Sequence, residues 1–295
     1  MAFIEDLQRR ILLLDGAVGT MLLSGGIKGC LELANVEQAD VVADIHRAYL
    51  QAGADIITTN TTCADALCLK QYGLQSRSRE LAKAGAEVAR RVADEFSSTL
   101  QPRYVAGSVG PTTRNLTLAN DIKAEELSAA YADVVGGLIE GGVDFILIET
   151  AMDAANVKIA IEECRKINRE IPIVVSAVLS RIEGRGASGA TISKFLEDIP
   201  LEEVTVVGFN CSNGVKTAEA SLKMLAAKSD KPIVFYPSAG QPMVAVNHFA
   251  KDMEALCRAG LLNIIGGCCG TTPAYIESMA KVAQRWRPRR TGKKN

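Results

Sequence analysis

The sequence is poor in several features, and each scarcity excludes a class of protein. Its 295 residues hold one tryptophan and two histidines, His46 and His248, which gives a histidine-based mechanism little support. Lys and Arg (33) nearly balance Asp and Glu (34), so no net field attracts nucleic acid or an anionic membrane. The longest apolar runs have only strand length, and the start MAFIEDLQRR lacks a signal-peptide pattern. We therefore expect a cytoplasmic protein with a small-molecule substrate.

Cysteine is also too sparse for a disulfide scaffold, because eight residues are spread over a long chain. We expect reduced thiols, which makes metal binding the question to settle. Two of the eight lie within predicted helices, where a free cysteine is usually a small buried apolar residue. We interpret these two and three others as structural: Cys30, Cys63, Cys68, Cys164 and Cys257.

One pattern repeats along the chain: a short β-branched run, a small polar turn and an amphipathic stretch. Eight strands are predicted, at residues 11–14, 54–59, 104–108, 145–148, 173–179, 205–209, 233–236 and 263–265. Segments of helical period lie between them, including residues 41–51, 78–95, 124–140, 155–168 and 217–227. Most of the strand runs are continuously apolar, which indicates parallel strands buried on both faces.

Eight such units favour a single-domain α/β fold, the (β/α)8 TIM barrel, which typically needs about 250 residues. The alternative is a doubly wound open sheet that binds a dinucleotide. That fold should show G-x-G-x-x-G after its first strand, whereas residues 15–20 read DGAVGT. We predict one barrel domain over residues 1–284 and a basic, frayed C-terminal tail over residues 285–295.

Active sites of such barrels are built from the loops that follow the strands. The residues that follow the predicted strands are Asp15, Asn60, Gly110, Pro111, Thr112, Glu149, Thr150, Arg181, Asn210, Cys211, Ser238, Cys268 and Cys269. Acids, amides and three thiols are therefore predicted to converge on one mouth, the open end of the barrel at the carboxyl ends of its strands.

The three thiols at this mouth are candidate metal ligands. Cys211 closes the sixth predicted strand, and the adjacent Cys268 and Cys269 close the eighth. Adjacent strand residues point to opposite faces, so both can reach one ion only if the glycines of GGCCG break the strand geometry. Three thiolates and one open position match a catalytic zinc site. A redox pair or simply buried thiols are the alternatives, and spacing alone does not choose among them.

Two acids at the mouth are candidate substrate ligands. Asp15 and Glu149 end apolar strands, where an unpaired carboxylate is costly to bury. Together they suit an ammonium group, and the amides of Gly16 and Ala17 suit a carboxylate, so an α-amino acid is a natural substrate. An internal salt bridge is the alternative for either acid.

These residues belong to motifs that resemble the homocysteine S-methyltransferase family, and most closely the N-terminal homocysteine-binding module of cobalamin-dependent methionine synthases. The matching motifs are DGAVGTML (15–22), GGIKGC (25–30), AGADIITTNT (52–61), GSVGPTTR (107–114), LIET (147–150), GFNCS (208–212), PSAGQP (237–242) and NIIGGCCGTTP (263–273). They cover the chain in order from end to end.

The resemblance implies a function for the candidate residues. Cys211, Cys268 and Cys269 would hold one zinc ion per chain and act as the catalytic centre that methylates homocysteine to methionine. Coordination deprotonates a thiol and so supplies a nucleophile at neutral pH. The residues implied for homocysteine binding are Asp15, Gly16, Ala17, Glu149, Asn60 and Asn210. Of these, Asn210 is implied to shape the loop beside Cys211, and Asn60, with Thr20, to form part of the pocket wall.

The resemblance also bears on the methyl donor. Ser238, Thr113 and Thr62 replace Asn, Asn and Phe of the methionine synthases, which leaves the donor side open. No Asp-x-His-x-x-Gly cobalamin motif is present, because DIHRAY at residues 44–49 lacks the glycine. We therefore expect methylcobalamin to be carried by a separate corrinoid protein or module. Free S-methylmethionine or betaine is an alternative donor, and a non-catalytic zinc- or homocysteine-binding subunit is another alternative.

Overall fold

The computed structural model describes residues 2–179, 184–186, 188–212 and 214–291. Two sequence predictions fall on other residues. Arg181, expected at the mouth, and residues 292–295 of the tail lie outside the described residues.

Eight parallel strands form the centre of the described chain. They are β1 Leu12–Leu13, β2 Ile56–Thr58, β3 Tyr104–Val109, β4 Phe145–Ala151, β5 Ile173–Val178, β6 Val206–Asn210, β7 Ile233–Tyr236 and β8 Ile264–Ile265. The order is β1-β8-β7-β6-β5-β4-β3-β2, and a parallel bridge from Leu14 to Ile56 joins β1 to β2. Each strand overlaps one predicted strand, so the (β/α)8 barrel is confirmed.

Helices surround this barrel. They are α1 Ala2–Arg9, α2 Val18–Ser24, α3 Ala34–Glu37, α4 Ala39–Gln51, α5 Ala66–Leu69, α6 Ser78–Phe96, α7 Ala124–Glu140, α8 Ala154–Ile167, α9 Ile192–Asp198, α10 Glu219–Lys228, α11 Val246–Arg258 and α12 Pro273–Arg285. The five predicted helical segments correspond to α4, α6, α7, α8 and α10. Among the described helices, none combines the length and the apolar character needed to span a bilayer.

The strands separate two hydrophobic cores. Alternate residues such as Leu12 and Leu14 point into the barrel, whereas Leu13 packs outward against the helices. Burial on both faces is what made the strands read as continuous apolar runs.

Helix α1 closes the amino-terminal end of the barrel, which we call the bottom. Phe3 stacks on Phe145 with ring centroids 4.4 Å apart and meets the edge of Tyr104 at 5.5 Å. Leu7 is buried in the same interior cluster. The sequence analysis did not predict this helix, although its eight residues are strongly amphipathic, with Phe3 and Leu7 on the buried face.

Ion pairs fix α1 to the bottom. Asp55 contacts Arg10 at 2.8 Å and Arg103 at 3.0 Å, and it also accepts the Leu13 N–H at 3.0 Å. Arg10 makes a second ion pair with Asp6 at 3.0 Å. Both Asp55 and Asp6 are thus matched by a guanidinium group.

The described part of the basic tail contacts the barrel. The Arg289 N–H donates to the Leu262 carbonyl at 3.0 Å. Its guanidinium donates to three further carbonyls, those of Ala226, Ser229 and Lys231. A planar group with five donors is well suited to a cluster of carbonyl oxygens, so the tail is held to the barrel as far as Arg289.

Candidate active site

A cavity of about 320 Å³ opens at the mouth of the barrel. Its wall contains ten of the candidate site residues named from the sequence: Asp15, Gly16, Ala17, Thr20, Asn60, Glu149, Thr150, Cys211, Cys268 and Cys269. The structure therefore brings the candidate thiols and acids together in one place.

The three predicted thiols meet at one side of this cavity. Cys211 and Cys268 are joined as a disulfide, and the Cys269 sulfur lies 3.6 Å from that of Cys211 and 3.9 Å from that of Cys268. The prediction of reduced thiols throughout is therefore wrong for this pair, because two strand ends direct both sulfurs at the same point. Strand β8 ends before Cys268, and Gly270 has φ +79°, so the backbone breaks as the glycines predicted.

This thiol cluster fits a metal ion once its disulfide is reduced. The three sulfur atoms lie within 4.8 Å of one another, and their residues range from half-buried to exposed. Thiolates are soft ligands that suit zinc, and three protein ligands leave a position for a substrate atom. The other five cysteines contribute no ligand to this cluster.

A bulge at the end of β4 aims Glu149 into the cavity. The register with β5 shifts between Ile148 and Ala151, and Thr150 within this stretch has φ +57°. A β-branched residue rarely adopts that conformation, and bulges commonly redirect side chains beside active sites. The Glu149 carboxylate accepts hydrogen bonds from the hydroxyls of Ser108 and Tyr236.

Asp15 is the second acid of the cavity. Its carboxylate accepts the Thr58 N–H at 2.8 Å and the Thr58 hydroxyl at 3.0 Å. Burial raises the pKa of Asp15 well above its ordinary value and also raises the pKa of Glu149, and the charge of Glu149 adds to the shift at Asp15. Within the described part of the chain, no Lys or Arg offsets either charge. The salt-bridge alternative is not seen among these residues, and the cavity presents two desolvated carboxyl groups.

The remaining predicted residues contribute to the wall in different ways. The Asn60 side chain donates to the Leu31 carbonyl at 2.8 Å and to Asn35 at 2.9 Å, so it holds the loop after β2 against the loop after α2. Ala17 lines the cavity, and its carbonyl accepts from the Tyr49 hydroxyl at 3.2 Å.

Asn210 is fully buried and links β4, β5 and the loop after β8. Its oxygen accepts from the Thr150 N–H at 2.9 Å and from the Ser176 hydroxyl at 2.8 Å. Its Nδ2 donates to the Thr150 hydroxyl at 2.9 Å and to the Cys268 sulfur at 3.8 Å. The next residue, Cys211, has φ +50°, so two residues in left-handed conformations flank this one amide.

Several cavity residues were not predicted. Thr58, Ser108 and Tyr236 hold the two acids, but each lies inside a strand run, where a polar residue gives no signal by itself. Glu32 and Cys63 also line the cavity; the Cys63 N–H donates to Glu32 at 3.0 Å. Cys63 had been interpreted as structural, and the structure places it exposed at the cavity.

The positions that depart from the methionine synthase motifs differ in their distance from the cavity. Thr62 lines it, and its hydroxyl lies 2.9 Å from that of Ser108. Thr113 is exposed and contacts the Leu67 carbonyl at 3.5 Å. Ser238 donates its N–H to the Ser212 carbonyl at 3.3 Å, next to Cys211 in sequence.

Known proteins share this architecture. A family model described as homocysteine S-methyltransferase matches residues 12–283. The oxidized form of the homocysteine methyltransferase MmuM from Escherichia coli is 25% identical, with a TM-score of 0.79 over 92% of this chain and 95% of that chain. Its metallated form is 25% identical, with a TM-score of 0.77 over 95% and 98% of the two chains. A chitinase domain from Pyrococcus furiosus, 11% identical with a TM-score of 0.55 over 95% and 98%, shares the fold alone.

Proposed function

Because the chain belongs to the homocysteine S-methyltransferase family, we propose that it methylates the sulfur of homocysteine to give methionine and holds one zinc ion through Cys211, Cys268 and Cys269. The observation that carries the proposal is the meeting, in one cavity, of three thiols and two carboxyl groups that have no cationic partner among the described residues. The existence of a metallated form of MmuM supports a metal at the thiol cluster.

The thiol cluster has the chemistry that zinc needs. Held by Cys211, Cys268 and Cys269, a zinc ion would act as a Lewis acid that keeps the substrate sulfur ionised and therefore nucleophilic at neutral pH. The disulfide between Cys211 and Cys268 must first be reduced to two thiols. This requirement agrees with the cytoplasmic location that the sequence predicts.

The other cavity residues bind and orient the amino acid. Asp15 and Glu149 receive its ammonium group, whose positive charge offsets the two desolvated carboxylates. The amides of Gly16 and Ala17 receive its carboxylate, and Asn60 keeps the adjoining wall in place. Fixing the head group directs the sulfur toward the thiol cluster, so catalysis is largely a matter of positioning.

We infer that the methyl group comes from methylcobalamin on a separate corrinoid protein or module. The support is the set of motifs shared with the methionine synthase module, from DGAVGTML to NIIGGCCGTTP. A free cationic donor, such as a sulfonium or betaine compound, is the second candidate. Glu32 favours it, since this buried carboxyl group lines the same cavity apart from Asp15 and Glu149.

Zinc content and homocysteine binding test the proposal. We expect one zinc per reduced chain, and calorimetric titration with L-homocysteine in buffers of different ionisation enthalpy should show release of a proton as the thiol coordinates. Cys211→Ala should lose the metal, whereas Cys257→Ala, a buried cysteine of α11, should keep it. A wild-type chain without zinc, or binding without proton release in any buffer, would contradict the proposal.

Turnover assays separate the two donors. Zinc-loaded chain with homocysteine and free methylcobalamin, a surrogate for the corrinoid protein, should form methionine. S-methylmethionine or betaine alone should not. The reverse result would favour the free donor, and Glu32→Gln should then raise the KM for that donor while Asp121→Asn on the surface should not.

A further inference from the structure

Asn210 stands where the amino-acid half of the cavity meets the thiol half. Its amide contacts the end of β4, which carries Glu149, the middle of β5 and the loop that carries Cys268. Its own main chain leads directly into Cys211. One buried side chain thus touches or adjoins two of the three candidate ligands.

The hydrogen bonds of Asn210 are all made within the protein. The amide oxygen accepts two hydrogen bonds and the amide nitrogen donates two, which satisfies the side chain. With 0% exposure, it has no group left to offer to a small molecule in the cavity. The amide N–H groups of Asn210 therefore donate to Thr150 and Cys268 and not to a ligand.

The contact with Cys268 is a contact with a candidate metal donor. An N–H that points at a sulfur 3.8 Å away stabilises that sulfur as a thiolate and fixes its direction. The paired hydrogen bonds to Thr150 hold that residue at φ +57°, a conformation that a β-branched residue adopts only when its surroundings impose it.

We propose that Asn210 is a positioning residue for the metal: it holds Cys268 and Cys211 as ligands through an N–H···S hydrogen bond and the rigid link to Thr150, and it does not contact the amino acid. This inference rests on the proposed zinc site and adds a residue outside the three ligands. It gives Asn210 a role toward the metal, whereas the resemblance groups this residue with those that bind homocysteine.

The decisive variant is Asn210→Asp, which keeps the size and the acceptor oxygen but removes the donor to Cys268. Its matched control is Asn263→Asp at the bottom of the barrel. Asn263 is 1% exposed, and its amide donates to the Leu7 and Arg289 carbonyls and accepts the Ile233 N–H. Both variants lose a buried amide, so a general loss of stability affects them alike.

Zinc affinity is measured on reduced full-length protein by competition with a chromophoric chelator. We expect Asn210→Asp to raise the zinc dissociation constant by about 10- to 100-fold, the range found when a partner of a metal ligand is removed. Asn263→Asp should stay within about twofold of wild type. If Asn210→Asp does not fold, Ser176→Ala, which releases one hydrogen bond of the amide oxygen, should give a smaller weakening of the same sign.

Two further readouts separate positioning from a merely structural role. In the cobalt-substituted protein, loss of the N–H···S bond should move the sulfur charge-transfer band to lower energy in Asn210→Asp but not in Asn263→Asp. At saturating zinc, the affinity for L-2-aminobutyrate, which has the head group but no sulfur, should change less than about threefold.

The outcomes distinguish the two proposals. A wild-type chain that binds no zinc would overturn the proposed function and this inference together. Equal zinc affinities for wild type and Asn210→Asp, with an unmoved cobalt band, would overturn this inference alone. So would a fall in aminobutyrate affinity as large as the fall in zinc affinity, since Asn210 would then act on the amino acid.

Discussion

At the bottom of the barrel Asp55 meets two guanidinium groups, whereas at the mouth Asp15 and Glu149 meet hydroxyl groups and a backbone amide. The two ends are built from the same strands and bury their acids to a similar degree. They differ in the charge that faces each acid.

This difference separates stability from function. A buried carboxylate with an ion-pair partner is compensated when the chain folds, whereas one without such a partner stays destabilising until a cation arrives. The bottom is therefore complete in the folded protein, whereas under the proposed function the mouth is completed by the ammonium group of its ligand. Sites of this kind lower the stability of the free protein in exchange for binding.

The largest effect should come from removing both charges at the mouth. Each charge-assisted contact contributes about 1.5–3 kcal/mol, so Asp15→Asn combined with Glu149→Gln should weaken L-homocysteine binding by more than about a hundredfold. Because burial raises both pKa values, the ionised forms destabilise the fold at neutral pH. The double variant should therefore resist urea better than wild type. Titration calorimetry on zinc-loaded protein measures the affinity for L-homocysteine. An affinity within threefold of wild type would show that neither acid contributes to homocysteine binding.

The opposite change at the bottom should break stability and spare binding. Asp55→Asn leaves Arg10 and Arg103 without their shared partner, which should lower the free energy of unfolding by about 2–3 kcal/mol. Homocysteine affinity should not change. Asp121→Asn, which disrupts an exposed pair with Arg114, is the control and should stay within about 0.5 kcal/mol. Urea unfolding compares the three proteins, and an Asp55→Asn variant as stable as wild type would show that the bottom pairs contribute nothing.

A smaller effect should come from His46, a buried ionisable group on α4 at neither end. Both ring nitrogens lack a hydrogen-bond partner among the described residues, and burial lowers the pKa of His46 to about 4. As pH falls below about 6.5, the unfolded chain binds a proton that the folded chain excludes, so stability should fall by about 2 kcal/mol at pH 5.

Substitution of this histidine checks the effect. Urea unfolding at pH 7 and at pH 5 gives the loss of stability on acidification. His46→Leu should reduce this loss by about 2 kcal/mol, whereas His248→Leu, at an exposed position, should lose as much stability as wild type. If the two variants lose the same stability between these pH values, the acid sensitivity arises elsewhere.

The sequence was informative where a physical constraint acts on neighbouring residues. The eight strands could be predicted because both of their faces are buried, and the thiols and acids could be placed at the mouth because parallel strands share a direction. Helix α1, the ion pairs of Asp55 and the tail contacts of Arg289 were not predicted. The ion pairs and the tail contacts depend on residues that are distant in sequence, such as Arg10 and Arg103 around Asp55, and the position of α1 depends on its contact with Phe145.

The chemistry of the mouth shows the same division. Asp15, Glu149 and the three cysteines stand out as reactive residues after apolar runs. The hydrogen bonds of Asn210 could not be recognised from the sequence, because they depend on a bulge at Thr150 and on a sulfur atom 58 residues away. Such contacts appear only once the strands are assembled.

The closure of the bottom by Phe3 and Leu7 also determines the route by which substrates and products reach and leave the cavity. Because the bottom of the barrel is closed, the mouth serves as both the entrance and the exit of the cavity in the described structure. Homocysteine must enter and methionine must leave on the side where the methyl donor arrives. A protein donor that covers this opening has to dissociate in every catalytic cycle, so its dissociation rate contributes to the turnover time. A small free donor would pass through the same opening without blocking it.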